Sequence, residues 1–313
     1  MVKVQPGVAV FGAGRWGKNH VRNFYELGAL RAVVDPSPAA VETVRAISPD
    51  IKLFATPDEV LKDPSIAGVV LATPAPSHAA DTLRALEAGK HVLVEKPMAL
   101  SVADAERMTQ RANELGKVLM VGHLLLYSEP VQYIADVIRS GAIGQVWHID
   151  CHRNNFGTVR AQEDVFWSFS PHDVAVVCHL LGNPEVATVQ HVRHAHVQAK
   201  VADIAHSHYR FASGATAHVT ANWLWPDKDR GLTVIGTAGS IWYDEIAQKV
   251  SVYKQHVMPD LALQKDGVTT KEFGAAQPLA AECQHFLDCI STGAKPISHG
   301  QHGVVVVQMM AGE

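Results

Sequence analysis

Short runs of β-branched residues alternate with helical stretches between Gly7 and Val121, and this alternation limits the possible folds more than any other feature. Repeated strand–helix–strand units build a parallel sheet with helices on both faces. The expected strands are 8–11, 30–34, 68–72, 91–94 and 118–122, and the expected helices include 57–61, 78–88 and 102–115. The sequence therefore predicts a doubly wound α/β domain over residues 1–123.

The pattern changes after residue 123, where a helix at 131–140, a strand at 146–153 and a helix at 172–181 are followed by several strands in succession. The expected strands are 146–153, 186–197, 204–211, 215–223, 232–236, 240–244 and 250–254. Strands that follow one another without intervening helices form antiparallel sheets. Residues 124–313 are therefore expected to form an α+β domain around an open, mainly antiparallel sheet. The last residues read as a helix that stops early, which leaves open whether the C-terminus is complete.

The charge balance bears on the class of partner. The chain has 27 Lys+Arg against 31 Asp+Glu, so no basic surplus favours nucleic acid or an anionic membrane. Its apolar runs are far shorter than the roughly 20 residues that cross a bilayer. The start of the chain lacks the apolar core of a signal peptide, and four cysteines make no disulfide framework. We expect a cytoplasmic protein with a small-molecule substrate.

A glycine-rich turn, Gly12-Ala13-Gly14-Arg15-Trp16-Gly17, directly follows the first predicted strand and opens a helix. In dinucleotide-binding turns the first glycine permits the tight turn and the second lets pyrophosphate approach the backbone. The third lets the helix pack on the strand. The N-terminus of the helix then faces the phosphates. This turn predicts a dinucleotide site, to which Arg15 and Trp16 also belong.

Asp35 follows the second predicted strand, eighteen residues after Gly17. A carboxylate at this place can accept hydrogen bonds from the ribose hydroxyls of adenosine. It would also repel a 2′-phosphate, and the segment that begins at Pro36 offers no nearby arginine, so NAD is favoured over NADP. The simpler interpretation, that Asp35 only caps a turn before Pro36, stays open at this point.

Two further motifs complete a recognisable pattern. Thr73-Pro74-x-x-x-His78 follows the strand at 68–72, and Glu95-Lys96-Pro97 follows the strand at 91–94. In this order and spacing the N-terminal domain resembles the glucose-fructose oxidoreductase, inositol dehydrogenase and MocA family. The resemblance implies NAD-dependent oxidation of a CH–OH group and a second domain whose sheet covers the nicotinamide and builds homodimers or homotetramers. It places Thr73, Pro74, His78, Glu95 and Lys96 at the cofactor.

The second domain resembles one branch of this family, which oxidises C3 of UDP-N-acetyl-glucosaminuronic acid for bacterial surface-polysaccharide synthesis. The matching segments are 153–160, 167–173 and 222–230, together with Gly122-His123-Leu124-Leu125-x-Tyr127. The resemblance implies that His123 and Trp167 border the nicotinamide and that Tyr127 faces the sugar. Trp167 and Trp223 are equally compatible with core or interface positions.

Oxidation of a secondary alcohol requires a group that takes its proton or stabilises the alkoxide-like oxygen. Lys96 is the first candidate, because it lies just past the carboxyl end of a parallel strand, where doubly wound sheets bind ligands. Outside its motif it would read as a solvated surface lysine. His172 is the second candidate, since an imidazole titrates near neutral pH. Ser168 stands where many relatives have an aspartate, so His172 lacks an obvious orienting carboxylate. Asp173 either orients a neighbouring group or favours the dipole at a helix start.

A UDP-sugar acid carries a diphosphate and a carboxylate, so its pocket needs cationic and amide donors. The candidates for substrate binding, besides Tyr127 and His172, are Arg153, Asn155, Arg160, Lys228 and Arg230. Each of them alone is more often a solvated surface residue. The motif favours a binding role for Arg153, Asn155 and Arg160.

The 18 histidines raise the question of a metal site. The densest group is His191, His194, His196, His206, His208 and His218. Alternation along a strand puts His194 and His196 on one face and His191 on the other. A zinc site needs closed geometry and often cysteine, and the chain has no C-x-x-C pair. We therefore expect no metal, and expect these histidines to form a polar sheet face or a subunit contact.

Three functions remain open from the sequence. The first is oxidation of the UDP-sugar acid, which predicts a cationic pocket around Arg153 and Arg160. The second is oxidation or reduction of a plain sugar, inositol or keto sugar within the same family. The third is a non-catalytic NAD-binding regulator, and the presence of both Lys96 and His172 argues against it.

Overall fold

The chain forms two compact units. The computed structural model describes residues 5–161, 163–275 and 277–312. The first unit contains residues up to 124 and residues 277–307, and the second contains residues 125–275 and 308–312. None of the described helices is both long enough and apolar enough to cross a membrane.

The first unit is built on a six-stranded parallel sheet with the order β3-β2-β1-β4-β5-β6. Its strands are β1 (Val8–Phe11), β2 (Leu30–Val34), β3 (Leu53–Phe54), β4 (Gly68–Leu71), β5 (His91–Glu95) and β6 (Leu119–Gly122). Its first helices are α1 (Gly17–Glu26), α2 (Pro38–Arg45), α3 (Asp58–Lys62), α4 (His78–Glu87) and α5 (Val102–Glu114). The strand order reverses beside β1, and sheets of this kind bind ligands at the carboxyl ends of the strands at such a point. The predicted doubly wound domain is therefore confirmed.

The central strands of this sheet are covered on both faces. Every residue of β1 and of β4 is buried. This burial explains why these strands read as continuous apolar runs instead of alternating ones. The two-residue strand β3 and helix α2 were not predicted from the sequence.

Residues 277–307 return to the first unit, which corrects the predicted single domain over residues 124–313. Helix α8 (Pro278–Thr292) lies against α1, and the rings of Phe24 and Phe286 meet edge to face at 6.5 Å. A Cβ placed on Gly68 would also lie 3.1 Å from the Phe286 ring, so α8 packs closely on β4. The apolar face of α8 thus completes the core of the first unit. Helix α9 (Gly300–Ala311) follows it.

The second unit contains an eight-stranded sheet with the order β14-β13-β12-β11-β7-β10-β9-β8. Its strands are β7 (Val146–Phe156), β8 (Val186–His194), β9 (Ile204–Phe211), β10 (Thr216–Asn222), β11 (Leu224–Gly236), β12 (Ser240–Asp244), β13 (Lys249–Val257) and β14 (Leu263–Glu272). Neighbouring strands are antiparallel except β7 and β10, which run parallel. The predicted mainly antiparallel sheet is confirmed, with the parallel pair made possible by the long connection between β7 and β10.

Two helices, α6 (Glu129–Arg139) and α7 (Val165–Leu180), belong to this unit. The sequence placed the start of α7 at residue 172, because Pro171 normally marks a helix boundary. In the structure α7 begins at Val165, and the side chain of Asp164 caps it by accepting a hydrogen bond of 2.9 Å from the backbone N–H of Trp167. Asp173 therefore lies inside the helix, and the prediction that it serves the dipole at a helix start is wrong.

Candidate active site

The three glycines of the turn after β1 meet three different steric requirements. Gly12 has φ +89°, and a Cβ there would lie 2.6 Å from the carbonyl oxygen of Ala72. A Cβ on Gly17 would lie 2.0 Å from the carbonyl oxygen of Gly12. A Cβ on Gly14 would meet nothing within 4 Å. Gly12 and Gly17 are therefore required by the fold, whereas the space beside Gly14 is open, and its use by a pyrophosphate stays a prediction.

Asp35 is joined to this turn. Its Oδ2 accepts a hydrogen bond of 2.7 Å from the backbone N–H of Ala13, and its Oδ1 accepts one of 2.8 Å from Ser37. The carboxylate thus caps the turn before Pro36 and also lies beside the glycine turn. Because an ionised carboxylate offers about four acceptor positions, these two bonds leave room for ribose hydroxyls. Both interpretations of Asp35 are compatible with this geometry.

His78 connects the loops that follow β4 and β5. It is 1% exposed, and its ring nitrogens lie 2.9 Å from the carbonyl oxygen of Thr73 and 2.8 Å from that of Pro97. The Thr73 hydroxyl accepts a hydrogen bond from Ser77 and donates one to Asp81, while Pro74 is exposed. His78 therefore holds the backbone around Lys96 in place. Direct contact of Thr73, Pro74 or His78 with the cofactor stays a prediction.

Glu95, the last residue of β5, is joined to the glycine turn by its side chain. Its Oε1 accepts a hydrogen bond of 2.5 Å from the indole Nε1 of Trp16 and lies 2.6 Å from Nε2 of His20. Its Oε2 accepts a hydrogen bond of 3.1 Å from the backbone N–H of Lys96. Glu95 is 8% exposed, so these charge-assisted bonds form in a largely dry environment. Glu95 and its neighbour Lys96 are therefore positioned relative to the turn.

Burial by itself raises the pKa of Glu95. The hydrogen bonds from His20 and Trp16 and the charge of Lys96 outweigh that effect, and the pKa of Glu95 lies below its ordinary value. Glu95 therefore carries a negative charge next to the half-buried Lys96.

His123 follows β6 in the same unit. It is 2% exposed, and neither ring nitrogen has a hydrogen-bond partner among residues 5–161, 163–275 and 277–312. Its ring meets that of His302 edge to face at 5.3 Å. Burial lowers the pKa of His123 to about 4. The negative charge of Glu95 raises this pKa by less than burial lowers it, and the charge of Lys96 lowers it slightly further. His123 is therefore a neutral imidazole at pH 7, and its predicted place at the nicotinamide stays a prediction.

Two residues around Glu95 were not among the sequence predictions. His20 lies one helical turn beyond Gly17, and Glu282 is an acidic residue in the apolar part of α8. Each is 0% exposed, and the nitrogen or oxygen atoms of His20, Glu95 and Glu282 lie within 4.8 Å of one another. The available signal was the carboxyl group of Glu282 among apolar helix positions, since such groups are rarely buried without a reason.

In the second unit, Arg153 on β7 is fully engaged with carboxylates. Its guanidinium donates two hydrogen bonds of 2.8 Å to Asp173 and bonds of 3.1 and 2.8 Å to Glu245. Burial disfavours its charge, but the two carboxylates outweigh burial and hold the pKa of Arg153 above its ordinary value. Four of its five N–H donors are used within the protein, which leaves little for a substrate anion.

The other predicted substrate ligands differ in their environment. Arg230 donates to Glu245 at 3.5 Å and to Asn155 at 3.4 Å, and burial followed by the charge of Arg153 lowers its pKa. Arg160 pairs with Glu163 near the surface, and Lys228 is exposed. The structure therefore brings Arg153, Arg230 and Asn155 together and does not join Arg160 or Lys228 to them through any described contact.

Three aromatic or imidazole candidates lie on helical segments of the second unit. Tyr127 is buried in a short 3₁₀ segment (Leu124–Tyr127). Trp167 lies in the first turn of α7 and His172 lies in its middle, directly after Pro171, and both are half-buried. Trp223 belongs to the core, where its Nε1 donates a hydrogen bond of 2.6 Å to Asp203.

The histidine-rich strands place their rings on both faces of the sheet. The rings of His208 and His218 meet at 4.8 Å, and His148, Asp150 and His218 bring possible ligand atoms within 4.8 Å of one another. His191 faces the other side, where its ring lies 4.7 Å from that of Phe166 on α7. His196 lies beyond the end of β8, so its predicted place on that strand is wrong. The expectation that no metal binds stays a prediction.

Comparison with known proteins covers most of the chain. The family model described as the oxidoreductase family with an NAD-binding Rossmann fold, Gfo/Idh/MocA, matches residues 7–123. The model of the Gfo/Idh/MocA C-terminal domain matches residues 131–242.

Two similar sequences are dehydrogenases. The scyllo-inositol 2-dehydrogenase (NAD⁺) of Bacillus subtilis (strain 168) is 29% identical over 308 residues, which are 92% of this chain and 87% of that protein. The inositol 2-dehydrogenase of Rhodococcus jostii (strain RHA1) is 37% identical over 152 residues, 47% of this chain and 42% of that protein.

A similar solved structure is UDP-N-acetylglucosamine 3-dehydrogenase GnnA from Acidithiobacillus ferrooxidans. It has a TM-score of 0.85 and 24% identity, and the match covers 97% of this chain and 95% of that chain. At this level of identity the match shows a common fold.

Proposed function

This chain belongs to the Gfo/Idh/MocA oxidoreductase family, and from this we propose that it oxidises a secondary alcohol of a sugar-type substrate with NAD through Lys96. One observation carries the proposal. Trp16 of the glycine turn donates to Glu95, whose other oxygen holds the backbone of Lys96. A lysine is thereby placed beside a turn shaped for a dinucleotide.

The residues of the turn fit NAD. The open space at Gly14 accepts a pyrophosphate against the backbone, and Asp35 offers its remaining acceptor positions to the adenosine ribose. Arg15 is exposed at the same turn, where its guanidinium can meet the phosphates. When bound, NAD supplies the acceptor for the hydride that leaves the alcohol carbon.

Lys96 holds the oxygen of the alcohol in this proposal. As the C–H bond gives up its hydride, the carbon–oxygen bond becomes a carbonyl and the hydroxyl proton must leave. An ammonium group that donates to this oxygen stabilises its negative charge, and the half-buried position of Lys96 strengthens that interaction. The charges of Lys96 and Glu95 attract each other, since the charge of Lys96 lowers the pKa of Glu95.

His172 is the proposed acceptor of the hydroxyl proton. It lies inside α7, and an imidazole takes up and releases a proton near neutral pH. His123 is already neutral at pH 7 because of burial, so we assign it to the wall of the site and not to proton transfer. Trp167 and Tyr127 are assigned to the nicotinamide and the sugar by family resemblance.

For the substrate, the ion pairs around Arg153 favour a neutral sugar or cyclitol. A pocket for a sugar acid with a diphosphate needs several uncommitted cations. Arg153 is neutralised by Asp173 and Glu245, and Arg230 shares Glu245 with it. The names of the inositol dehydrogenases similar to this chain agree with a neutral polyol.

The second candidate is the C3 hydroxyl of UDP-N-acetyl-glucosaminuronic acid, in the synthesis of bacterial surface polysaccharide. It is supported by the segments at 153–160, 167–173 and 222–230 and by the name of a structural neighbour that acts on UDP-N-acetylglucosamine. In this case Asn155, Arg160 and Lys228 would have to meet the diphosphate and the carboxylate.

We further propose that the chain forms homodimers or homotetramers through the sheet of the second unit. Trp242 and Ile235 are 40% and 41% exposed on this sheet, and the rings of His148, His208 and His218 lie there too. Aromatic residues at the surface of a sheet are typical of subunit contacts. Light scattering after gel filtration measures the oligomer size, and a monomer at micromolar concentration contradicts this assignment.

A substrate panel tests the function. The protein is incubated with NAD and, separately, with scyllo-inositol, myo-inositol, plain aldoses, UDP-N-acetylglucosamine and UDP-N-acetyl-glucosaminuronic acid, and the absorbance of reduced cofactor is followed. We expect turnover with a neutral polyol. Turnover with the UDP-sugar acid alone, together with thermal stabilisation by UDP, would establish the second candidate. NAD binding without cofactor reduction by any compound would indicate the regulator.

A further inference from the structure

Glu282 is a fully buried acidic side chain without a hydrogen-bond partner. It lies on α8 in the first unit and is 0% exposed. Neither of its carboxylate oxygens has a partner within the described part of the chain. Transfer of an isolated carboxylate into such a site is very unfavourable, and the group is expected to take up a proton or a cation instead.

The groups around Glu282 come from three elements. Glu95 lies at the end of β5 and His20 on α1, each with a nitrogen or oxygen atom within 4.8 Å of Glu282. The neighbouring Cys283 lies 3.7 Å from Nδ1 of His20 through its Sγ. The other oxygen of Glu95, Oε2, accepts a hydrogen bond from the backbone N–H of Lys96. Glu282 therefore has the carboxylate of Glu95 and the imidazole of His20 near it and is hydrogen-bonded to neither of them.

The distance between His20 and Glu95 bears on whether a proton or a metal ion occupies this cluster. Nε2 of His20 lies 2.6 Å from Oε1 of Glu95, which is the distance of a charge-assisted hydrogen bond. Two ligands of one metal ion, each about 2.0–2.2 Å from it, normally lie farther apart than this. The pair is therefore bonded directly, and a proton is the cation that fits.

We infer that Glu282 is a neutral carboxylic acid at neutral pH, so that Glu282 and the nearby Glu95 together carry one negative charge. Glu282 is then a positioning residue, because it keeps Glu95 able to hold Trp16 and the backbone of Lys96. The protonation of Glu282 does not depend on the reaction, whereas its effect on Lys96 rests on the proposed function.

The electrostatics agree with this assignment. Burial, and then the negative charge of Glu95, raise the pKa of Glu282 well above its ordinary value. The pKa of Glu95 is instead below its ordinary value, because it receives bonds from His20 and Trp16. Two carboxyl groups with opposite shifts share a site in which only one is ionised.

Infrared difference spectroscopy tests the proton directly. Wild-type protein and Glu282→Gln are compared at pH 7, with Glu106→Gln, an exposed position on α5, as the matched control. We expect the wild type and the control to show the carbonyl stretch of a neutral carboxylic acid, a band that shifts in D₂O. We expect this band to be missing in Glu282→Gln. The same spectrum for wild type and Glu282→Gln, with only carboxylate bands, would overturn the inference.

A cofactor-binding titration tests the consequence. As pH rises through the pKa of Glu282, a second negative charge forms near Glu95, which accepts a hydrogen bond from Trp16 of the glycine turn, so NAD affinity of the wild type is expected to fall several-fold. Glu282→Gln stays neutral, and its NAD affinity is expected not to change over this range. Equal pH dependence in both proteins contradicts the positioning role.

Metal analysis of the purified protein tests the rival occupant. We expect no stoichiometric metal in the wild type and no effect of a chelator on thermal stability. One equivalent of metal in the wild type that is missing in Glu282→Gln would show that the cluster is a metal site. None of these measurements uses turnover, so failure of the proposed function would leave them interpretable.

Discussion

Nε2 of His20 lies 2.6 Å from Oε1 of Glu95, although 75 residues separate them in the chain. His20 belongs to the helix that begins at the glycine turn, and Glu95 ends the strand that precedes Lys96. Their hydrogen bond joins the two motifs that family resemblance assigns to the cofactor and to catalysis. A disturbance of either residue is therefore expected to affect both NAD binding and the placement of Lys96.

Substitution of Lys96 by Met should remove turnover and keep NAD binding. The thioether side chain fills similar space but donates no hydrogen bond to the reacting oxygen. We expect kcat to fall by about 10²–10⁴-fold while the Kd for NAD changes only a few-fold. Absorbance assays and NAD titration measure the two effects. Lys62→Met, at an exposed position on α3, is the control, and retained turnover in Lys96→Met would remove the catalytic assignment.

Two glycine substitutions should have opposite consequences. A Cβ on Gly14 meets no atom within 4 Å, so Gly14→Ala is expected to fold normally but to bind NAD much more weakly. A Cβ on Gly17 would lie 2.0 Å from the carbonyl oxygen of Gly12, and Gly17→Ala should lose about 1–3 kcal/mol of stability. Thermal unfolding without ligand, followed by NAD titration, separates the effects. Normal NAD affinity of Gly14→Ala would contradict the site.

Substitution of Asp35 by Ala should weaken NAD binding and reduce discrimination against NADP. The variant loses the bond to Ala13 and the acceptors for the ribose. Hydrogen bonds to charged groups contribute about 1.5–3 kcal/mol, so we expect the Kd for NAD to rise roughly 10–100-fold. Calorimetric titration of both dinucleotides measures this change. Asp50→Ala, in an exposed loop, is the control, and an unchanged preference for NAD would show that Asp35 only caps its turn.

Arg153→Met should mainly reduce stability. The substitution leaves the buried Asp173 without the cation that it is hydrogen-bonded to and leaves Glu245 only its longer pair with Arg230, and breaking a buried ion pair costs about 3–5 kcal/mol. Denaturant unfolding should show this loss, whereas Arg139→Met, which removes an exposed pair on α6, should change stability by less than about 1 kcal/mol. A raised KM with unchanged stability would instead identify Arg153 as a substrate ligand.

The buried His123 predicts a loss of stability in acid. Its pKa is lowered from 6.5 to about 4 in the folded protein, so the unfolded chain takes up a proton first as pH falls. The neutral form stabilises the fold above pH 6.5, and up to roughly 3 kcal/mol is lost between pH 6.5 and 4. His123→Gln should lack this part of the pH dependence in denaturant unfolding. Identical pH profiles of the two proteins would show that the pKa of His123 is the same in the folded and the unfolded chain.

The sequence by itself determined the features that depend on neighbouring residues. A strand, a glycine turn and a helix follow one another within about twenty residues, so the roles of Gly12, Gly14 and Gly17 and the doubly wound sheet could be read directly. The sequence also places Lys96 after a parallel strand, at the edge where ligands bind, but its catalytic role depends on its motif and the family resemblance and stays a prediction.

Only the tertiary structure decided which distant groups meet. Cys283 on α8 contacts His20 across 263 residues, and the carboxylates around Arg153 come from α7 and from the residue after β12. Sequence periodicity shows that a helix has an apolar face but not what that face packs against. For this reason Arg153, which the sequence assigned to the substrate, proved to be paired with carboxylates of the protein itself. The burial of the Glu282 carboxyl group became apparent only once α8 was placed on the first unit.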